Sequence, residues 1–263
     1  MVSNNIVHVL SGPVDRIETD LPNKVAAILG KDIYQTRLLL SGNIPKLIGH
    51  YPNTQEAELV ASHLKALGLV VVVCSDGDLH KPPSPVFRAH RMRSINREVT
   101  FWDSGGQMVI MDQKDVFLIL LGRIQIFRDI EATGTVMKFN LPATLLTGGI
   151  PVWRKSQEAT RSTLIETGNF VRLYNRISVD PVVEIFENNF DFSSLGSKMT
   201  LSSFVNFSNV IAELKDSFPE ALFDDRLIKT LETVTRVTND HDLELNCKLI
   251  YLYHRELTGL QPL

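Results

Sequence analysis

The first eighty residues alternate between short apolar runs and longer amphipathic stretches, and this alternation restricts the fold more than any other feature of the chain. A short apolar run favours a strand, whereas apolar residues three and four apart favour a helix with one buried face. A helix is predicted at 20–30, because Asp20 can cap it, Pro22 suits its first turn and Gly30 ends it. Strands are predicted at 6–10, 34–40 and 45–51.

A second helix and a last strand complete this region. Residues 55–67 place apolar side chains at three- and four-residue intervals, and Gly68 ends the pattern. Residues 69–74 are rich in valine, which is typical of a buried strand. The order strand–helix–strand–strand–helix–strand is the split βαβ, or ferredoxin-like, plan. That plan carries many unrelated functions, so it predicts a fold without identifying an activity.

A proline-rich segment divides the chain after this region. Residues 81–85 contain three prolines, which cannot continue a strand ladder and favour an extended linker. We therefore predict an α+β protein with a ferredoxin-like domain at 1–80 and a linker at 81–85. A strand-rich domain at 86–218 and a C-terminal helical segment at 219–263 follow.

The strand-rich domain is predicted from apolar runs and turn residues. Strands are expected at 86–92, 98–102 and 107–111, with a tight turn at 103–106. One or two strands, bent near Gly122, are expected within 114–127, and a partly looped stretch is expected at 129–168. A hairpin of 170–174 with 182–186 and a helix that begins at 200–203 follow. Several antiparallel strands closed by an amphipathic helix favour a small, partly open barrel, which is similar in outline to pleckstrin-homology-like modules.

Composition excludes several classes of protein. The chain has 27 basic and 30 acidic residues, so no global field attracts it to nucleic acid or to an anionic membrane. Cys74 and Cys247 are too few for a disulfide framework or a four-cysteine zinc site. The apolar run at 116–121 is far shorter than the roughly 20 residues of a membrane span. We expect a soluble, cytoplasmic protein with no membrane partner.

The search for catalytic and ligand-binding motifs predicts no cofactor, no metal and no catalytic residues. The glycines of 148–156 match neither phosphate-binding spacing, and a mobile loop is the alternative. The seven histidines are scattered, and the densest metal-ligating run, 240–242, suits a solvated helix start. No nucleophile motif occurs, although a site assembled from distant residues stays open, so enzyme status is undecided with a leaning to no.

A local basic run stands out against the balanced total. Arg88, Arg91, Arg93 and Arg97 lie in a stretch, 81–97, that contains no acidic residue; Glu98 follows it. They form a candidate patch for an anion or a nucleic acid. If 86–92 is one strand, however, Arg88 and Arg91 lie on opposite faces. A charged edge strand or pairing with acids elsewhere is the alternative.

Two aromatic side chains lie in a polar segment. Phe190 and Phe192 are candidate anchors for a docking protein if either ring is exposed. Packing against the core is the alternative.

Three functions follow from these observations. The leading hypothesis is a non-enzymatic interaction or regulatory protein that docks another protein or itself, for example by adding a strand to a sheet edge. The second is a small-molecule sensor with a ligand between domains or at a dimer interface. The third is nucleic-acid binding through 88–97.

Overall fold

The computed structural model describes residues 6–14, 18–80, 86–95, 97–139, 153–176, 182–231 and 240–260. It is a mixed α+β chain, as predicted, with three sheets among these residues. The chain divides into two units, one taken from Met1–Ile124 and Gly168–Leu263 and the other from Gln125–Thr167. The predicted linker at 81–85 lies outside the described residues, so the domain limits at 1–80, 86–218 and 219–263 stay predictions.

The N-terminal sheet has three described strands in the order β2-β1-β3, and both pairs are antiparallel. They are β1 (Val7–Ser11), β2 (Lys46–Tyr51) and β3 (Val71–Ser75). The strands predicted at 6–10, 45–51 and 69–74 are thereby confirmed within two residues. Every residue of β1 is buried, because β1 is the central strand and both of its faces are covered.

The helices of this region are α1 (Leu21–Leu29), α2 (Ile33–Leu40), α3 (Thr54–Ala66) and the short α4 (Asp76–His80). The predictions for α1 and α3 are confirmed, and Gly30 ends α1 in the left-handed conformation. The strand predicted at 34–40 is wrong, because this segment is helix α2. The Asp32 side chain accepts a hydrogen bond of 2.8 Å from the Gln35 backbone N–H, which caps the helix.

The remaining strands form two sheets. They are β4 (Val86–Ala89), β5 (Arg91–Ile95), β6 (Glu98–Trp102), β7 (Met108–Asp112), β8 (Val116–Phe139), β9 (Trp153–Asn175), β10 (Val182–Phe186) and β11 (Leu222–Asp224). One sheet has the order β11-β8-β9-β10-β4 and the other the order β5-β6-β7. The hairpin predicted at 170–186 is confirmed, because β9 and β10 pair antiparallel.

Three predictions for this region need correction. The single strand at 86–92 is two strands, β4 and β5, which belong to different sheets and meet at His90. The antiparallel plan fails at both edges of the five-stranded sheet, since β4 and β11 run parallel to their neighbours. The stretch after 219 was predicted helical, but it contains strand β11 before its helices begin.

The stretch predicted as partly looped, 129–168, is occupied at both ends by the long strands β8 and β9. Residues 140–152 lie outside the described residues, and so does most of the glycine-containing segment 148–156. Strand β8 continues through Gly122, where a bend was predicted.

Two helices cover the five-stranded sheet, one on each face. On one face, α5 (Ser203–Ser217) and the β5–β7 sheet share a hydrophobic core. On the other face lies α7 (Asp240–Thr258), whose Tyr251 ring contacts Phe117 and Tyr174. The same helix contacts the N-terminal sheet, where Leu249 packs with Leu10 and Cys74. A short helix, α6 (Arg226–Leu231), precedes α7.

Candidate functional site

The β5–β7 sheet is a three-stranded meander whose second turn was predicted from Asp103 and two glycines. The Asp103 N–H donates to the Gln107 carbonyl at 3.0 Å, and the Asp103 carboxylate accepts from the Gln107 N–H at 2.8 Å. Gly106 has a φ of 83°, a conformation that side chains disfavour. The turn fixes the register of β6 against β7.

Alternate side chains of the meander are buried. Met92, Val99, Phe101 and Met111 are at most 2% exposed and join the core beneath α5. Burying side chains of this size stabilises a fold by about 1.5–3 kcal/mol each. Because strand residues alternate between faces, burial of this set directs the intervening residues outward.

The outward residues form three cross-strand rows, which we call the outer face. The rows are Arg91, Trp102 and Met108; Arg93, Thr100 and Ile110; and Ile95, Glu98 and Asp112. Three large apolar side chains of this face are exposed by half or more: Met108 at 63%, Ile110 at 52% and Ile95 at 50%. Met108 and Ile110 are neighbours on β7, whereas Ile95 lies two strands away on β5. Exposed large apolar side chains on one face are typical of an interaction surface.

Charges are arranged around these apolar side chains. Arg91 and Arg93 lie along β5, and the Arg91 guanidinium lies 4.9 Å from the centre of the Trp102 ring. Glu98 and Asp112 lie in the row farthest from Arg91. Among the described residues, neither Arg93 nor Glu98 has an ion pair or a side-chain hydrogen bond. The outer face therefore carries charges of both signs that remain available to a partner.

The four predicted arginines do not form one patch. Only Arg91 and Arg93 share the outer face. Arg88 lies on β4 in the other sheet, with its Nε 3.5 Å from the buried carboxylate of Glu184. Arg97 is exposed in the turn before β6. The alternative, pairing with an acid elsewhere in the chain, describes Arg88.

Phe190 and Phe192 do not offer an exposed anchor. Phe190 is 7% exposed, and Phe192 is half-buried, with the two ring centres 5.5 Å apart. Both pack against the core beneath α5. The alternative, packing against the core, is what their burial supports.

No known protein family, curated protein or solved structure matches this chain. Within the described residues, no helix is both long and apolar enough to cross a membrane. The function is therefore inferred from the residues themselves.

The two cysteines are buried and free, as expected for small apolar side chains. Burial raises the pKa of the Cys74 thiol to about 11 and that of Cys247 to about 12. A thiol with such a pKa stays protonated at neutral pH and is a poor nucleophile.

A histidine pair lies across β1 and β2, far from the outer face in sequence. The Nδ1 atoms of His8 and His50 are 2.6 Å apart, and His8 Nε2 lies 2.9 Å from the Asp76 carboxylate. The sequence alone does not reveal this cluster, because only the register of β1 against β2 places the two histidine rings opposite each other. The described residues contain no group of three His, Cys, Asp or Glu positioned for a metal ion.

The His50 side chain is expected to make the folded state less stable at acidic pH. Burial, with repulsion from His8 and Lys31, lowers the pKa of His50 below its ordinary value of 6.5, although Asp76 opposes this shift. The folded state thus binds this proton less tightly than the unfolded state. The part of the folding stability that depends on a neutral His50 is fully present above pH 6.5, and it is lost as the pH falls towards the lowered pKa of His50.

This pH dependence can be measured as the urea midpoint of unfolding on both sides of pH 6.5. His50→Gln should reduce the loss of stability on acidification. His63→Gln, at an exposed position on α3, should leave it unchanged. Equal pH profiles for the wild type and His50→Gln would contradict the expectation.

Proposed function

We propose that this protein is a non-enzymatic interaction protein that docks a protein partner on the outer face of the β5–β7 sheet. The observation that carries the proposal is the exposure of Met108, Ile110 and Ile95 on the same face as Arg91 and Arg93. A partner that covers these apolar side chains removes them from water, and the charges fix its orientation.

The composition of the outer face supports docking. Tryptophan, methionine and arginine are enriched at protein interfaces, and tryptophan and arginine dominate binding hot spots. Here Trp102 is already held by Arg91, so less side-chain freedom is lost on binding. The face is also rigid, because its reverse side belongs to the core.

Charge balance favours a protein over a nucleic acid. The two arginines of the outer face are matched by Glu98 and Asp112 on the same face. Nucleic-acid affinity comes largely from neutralising phosphates with several basic side chains, and acids on the surface oppose it.

Two finer predictions remain part of the proposal. The order β2-β1-β3 and its antiparallel pairing support a ferredoxin-like N-terminal region in which helix α2 stands where an edge strand was predicted. The two free thiols are compatible with a reducing, cytoplasmic location.

Docking can be tested by photo-crosslinking in cells that express the full chain. A photoreactive residue replaces Ile110 on the outer face, and the matched control replaces Leu59, a 59% exposed leucine on α3. A crosslinked protein is expected at position 110 and not at 59, and it should disappear when Met108→Glu is added. Absence of any protein crosslink at 110 would overturn the proposal. So would salt-sensitive binding of an oligonucleotide that Arg91→Glu abolishes, since this would identify a nucleic-acid partner.

Charged substitutions on the outer face are expected to abolish docking with little change in stability. Ile110→Glu should shift the free energy of unfolding by no more than about 0.5 kcal/mol, since the half-exposed Ile110 side chain lies outside the hydrophobic core. Urea denaturation checks this, with Leu59→Glu as the control. A loss above about 2 kcal/mol would mean that Ile110 belongs to the core and would contradict its assignment.

A further inference from the structure

We infer that the partner on the outer face is a second copy of this chain, packed face to face with the strands of the two copies crossing at nearly a right angle. The inference rests on the proposed docking function and names its partner. It follows from the arrangement of charges on the outer face, which is complementary to itself in one orientation.

The register of the meander sets the positions of the nine residues. Neighbouring strands are about 4.8 Å apart, and successive outward residues of one strand are about 6.7 Å apart. The outer face is thus a grid of three strands by three rows, with Arg91, Met108, Ile95 and Asp112 at its corners and Thr100 at its centre.

Two identical faces pack symmetrically about a two-fold axis that lies in the plane between them. An axis along the diagonal from Ile95 to Met108 exchanges strands and rows. It brings Arg91 against Asp112 of the other copy, and Arg93 against Glu98 of the other copy. The remaining residues match as well: Trp102 meets Ile110, while Ile95, Thr100 and Met108 meet their own counterparts.

The other three axes of the grid fail on charge. An axis parallel to the strands places Glu98 against Glu98 of the other copy, and it places both arginines against apolar side chains. An axis across the strands places Arg93 against itself, and the second diagonal places Arg91 and Asp112 each against themselves. Like charges placed directly opposite each other cost several kcal/mol.

The selected orientation is physically ordinary. Orthogonal crossing is one of the two common ways in which sheets pack face to face. The two grid spacings differ by about 2 Å, and the paired groups are offset by about that amount. The long side chains of arginine and glutamate can span this offset.

The size of the outer face predicts a reversible dimer. Three strands of five residues cover about 14 Å by 17 Å, which is about 250 Å² in projection. A standard interface buries about 800 Å² on each partner. We therefore expect a dissociation constant in the micromolar range.

The test is sedimentation velocity of the full chain from about 1 μM to about 500 μM, a range that brackets such an affinity. The wild type should shift from monomer to dimer. Arg93→Glu alone and Glu98→Arg alone each create two like-charge pairs across the interface. Each should therefore raise the dissociation constant at least tenfold, which is a loss of about 1.4 kcal/mol or more in binding free energy. Arg97→Glu is the matched control, because Arg97 is exposed nearby but lies off the outer face, and it should dimerise like the wild type.

Recombining the charges tests the orientation itself. The double variant Arg93→Glu/Glu98→Arg should dimerise again. An equimolar mixture of the two single variants should also dimerise, because each substituted side chain then faces the opposite charge on the other chain. Failure of both combinations, with unfolding midpoints like the wild type, would overturn the inference.

The remaining outcomes separate this inference from the docking function. A monomeric wild type that still crosslinks another protein at position 110 would overturn the second-copy inference and leave docking standing. A monomer with no crosslink would overturn both. A dimer unaffected by Arg93→Glu would use another surface and would overturn the inference.

Discussion

Replacing Arg172 with methionine is expected to lower the free energy of unfolding by about 3–5 kcal/mol. Arg172 on β9 lies directly opposite Glu184 on β10, and its Nε donates to the Glu184 carboxylate at 2.6 Å. Its other nitrogens donate to both carboxylate oxygens of Glu244 on α7. The Glu184 side chain is 1% exposed, so without Arg172 it becomes a buried charge whose remaining described ion-pair partner, Arg88, is largely exposed to solvent.

Arg88→Met is the matched control for this prediction, since Arg88 contacts the same carboxylate. The Arg88 side chain is 78% exposed and its Nε lies 3.5 Å from Glu184, so its removal should cost less than about 1 kcal/mol. The double variant Arg172→Met/Glu184→Met should recover part of the loss, because it removes both buried charges together. Urea denaturation measures all three, and equal losses for Arg172→Met and Arg88→Met would refute the explanation.

Gly122→Ala is expected to cost about 1–3 kcal/mol, although it adds only one methyl group to a strand. A Cβ at this position would lie 2.3 Å from Cζ of Phe170, whose ring is fully buried on the neighbouring strand. The ring cannot leave without displacing the packing around it. The glycine is needed because an aromatic ring approaches the backbone closely.

A double-mutant cycle with Phe170→Leu isolates this contact. The smaller side chain leaves space for the added methyl group, so Gly122→Ala should cost less than half as much in that background. The free energy of unfolding of the four proteins is the measurement. Additive losses would show that Gly122 acts through its backbone freedom.

The sequence was sufficient where a local pattern determines a local structure. The apolar stripe and end signals of 55–67 predict α3, and the valine-rich run predicts β3. The error at 34–40 has a physical reason. Its apolar side chains look like a strand, but the Asp32 cap starts a helix there and leaves Tyr34 and Leu38 largely exposed.

The outer face could be predicted only in part. Arg91 and Arg93 stand out as charges, but nothing local distinguishes Met108 and Ile110 from core residues. Their exposure depends on which face of the meander packs beneath α5, and that is decided by contacts distant in sequence. The same dependence explains Phe190, whose polar neighbours suggest exposure while its ring joins the core.

Helix α7 lies between the N-terminal sheet and the five-stranded sheet, and it is translated after both. Leu10 and Cys74 of the first sheet pack on Leu249, and Phe117 of the second packs on Tyr251. At ribosomal rates of about 5–20 residues per second, on the order of 10–30 s pass between the synthesis of β3 and that of α7. Until α7 is synthesised, the apolar side of the N-terminal sheet that carries Leu10 and Cys74 lacks the helix that covers it in the folded chain.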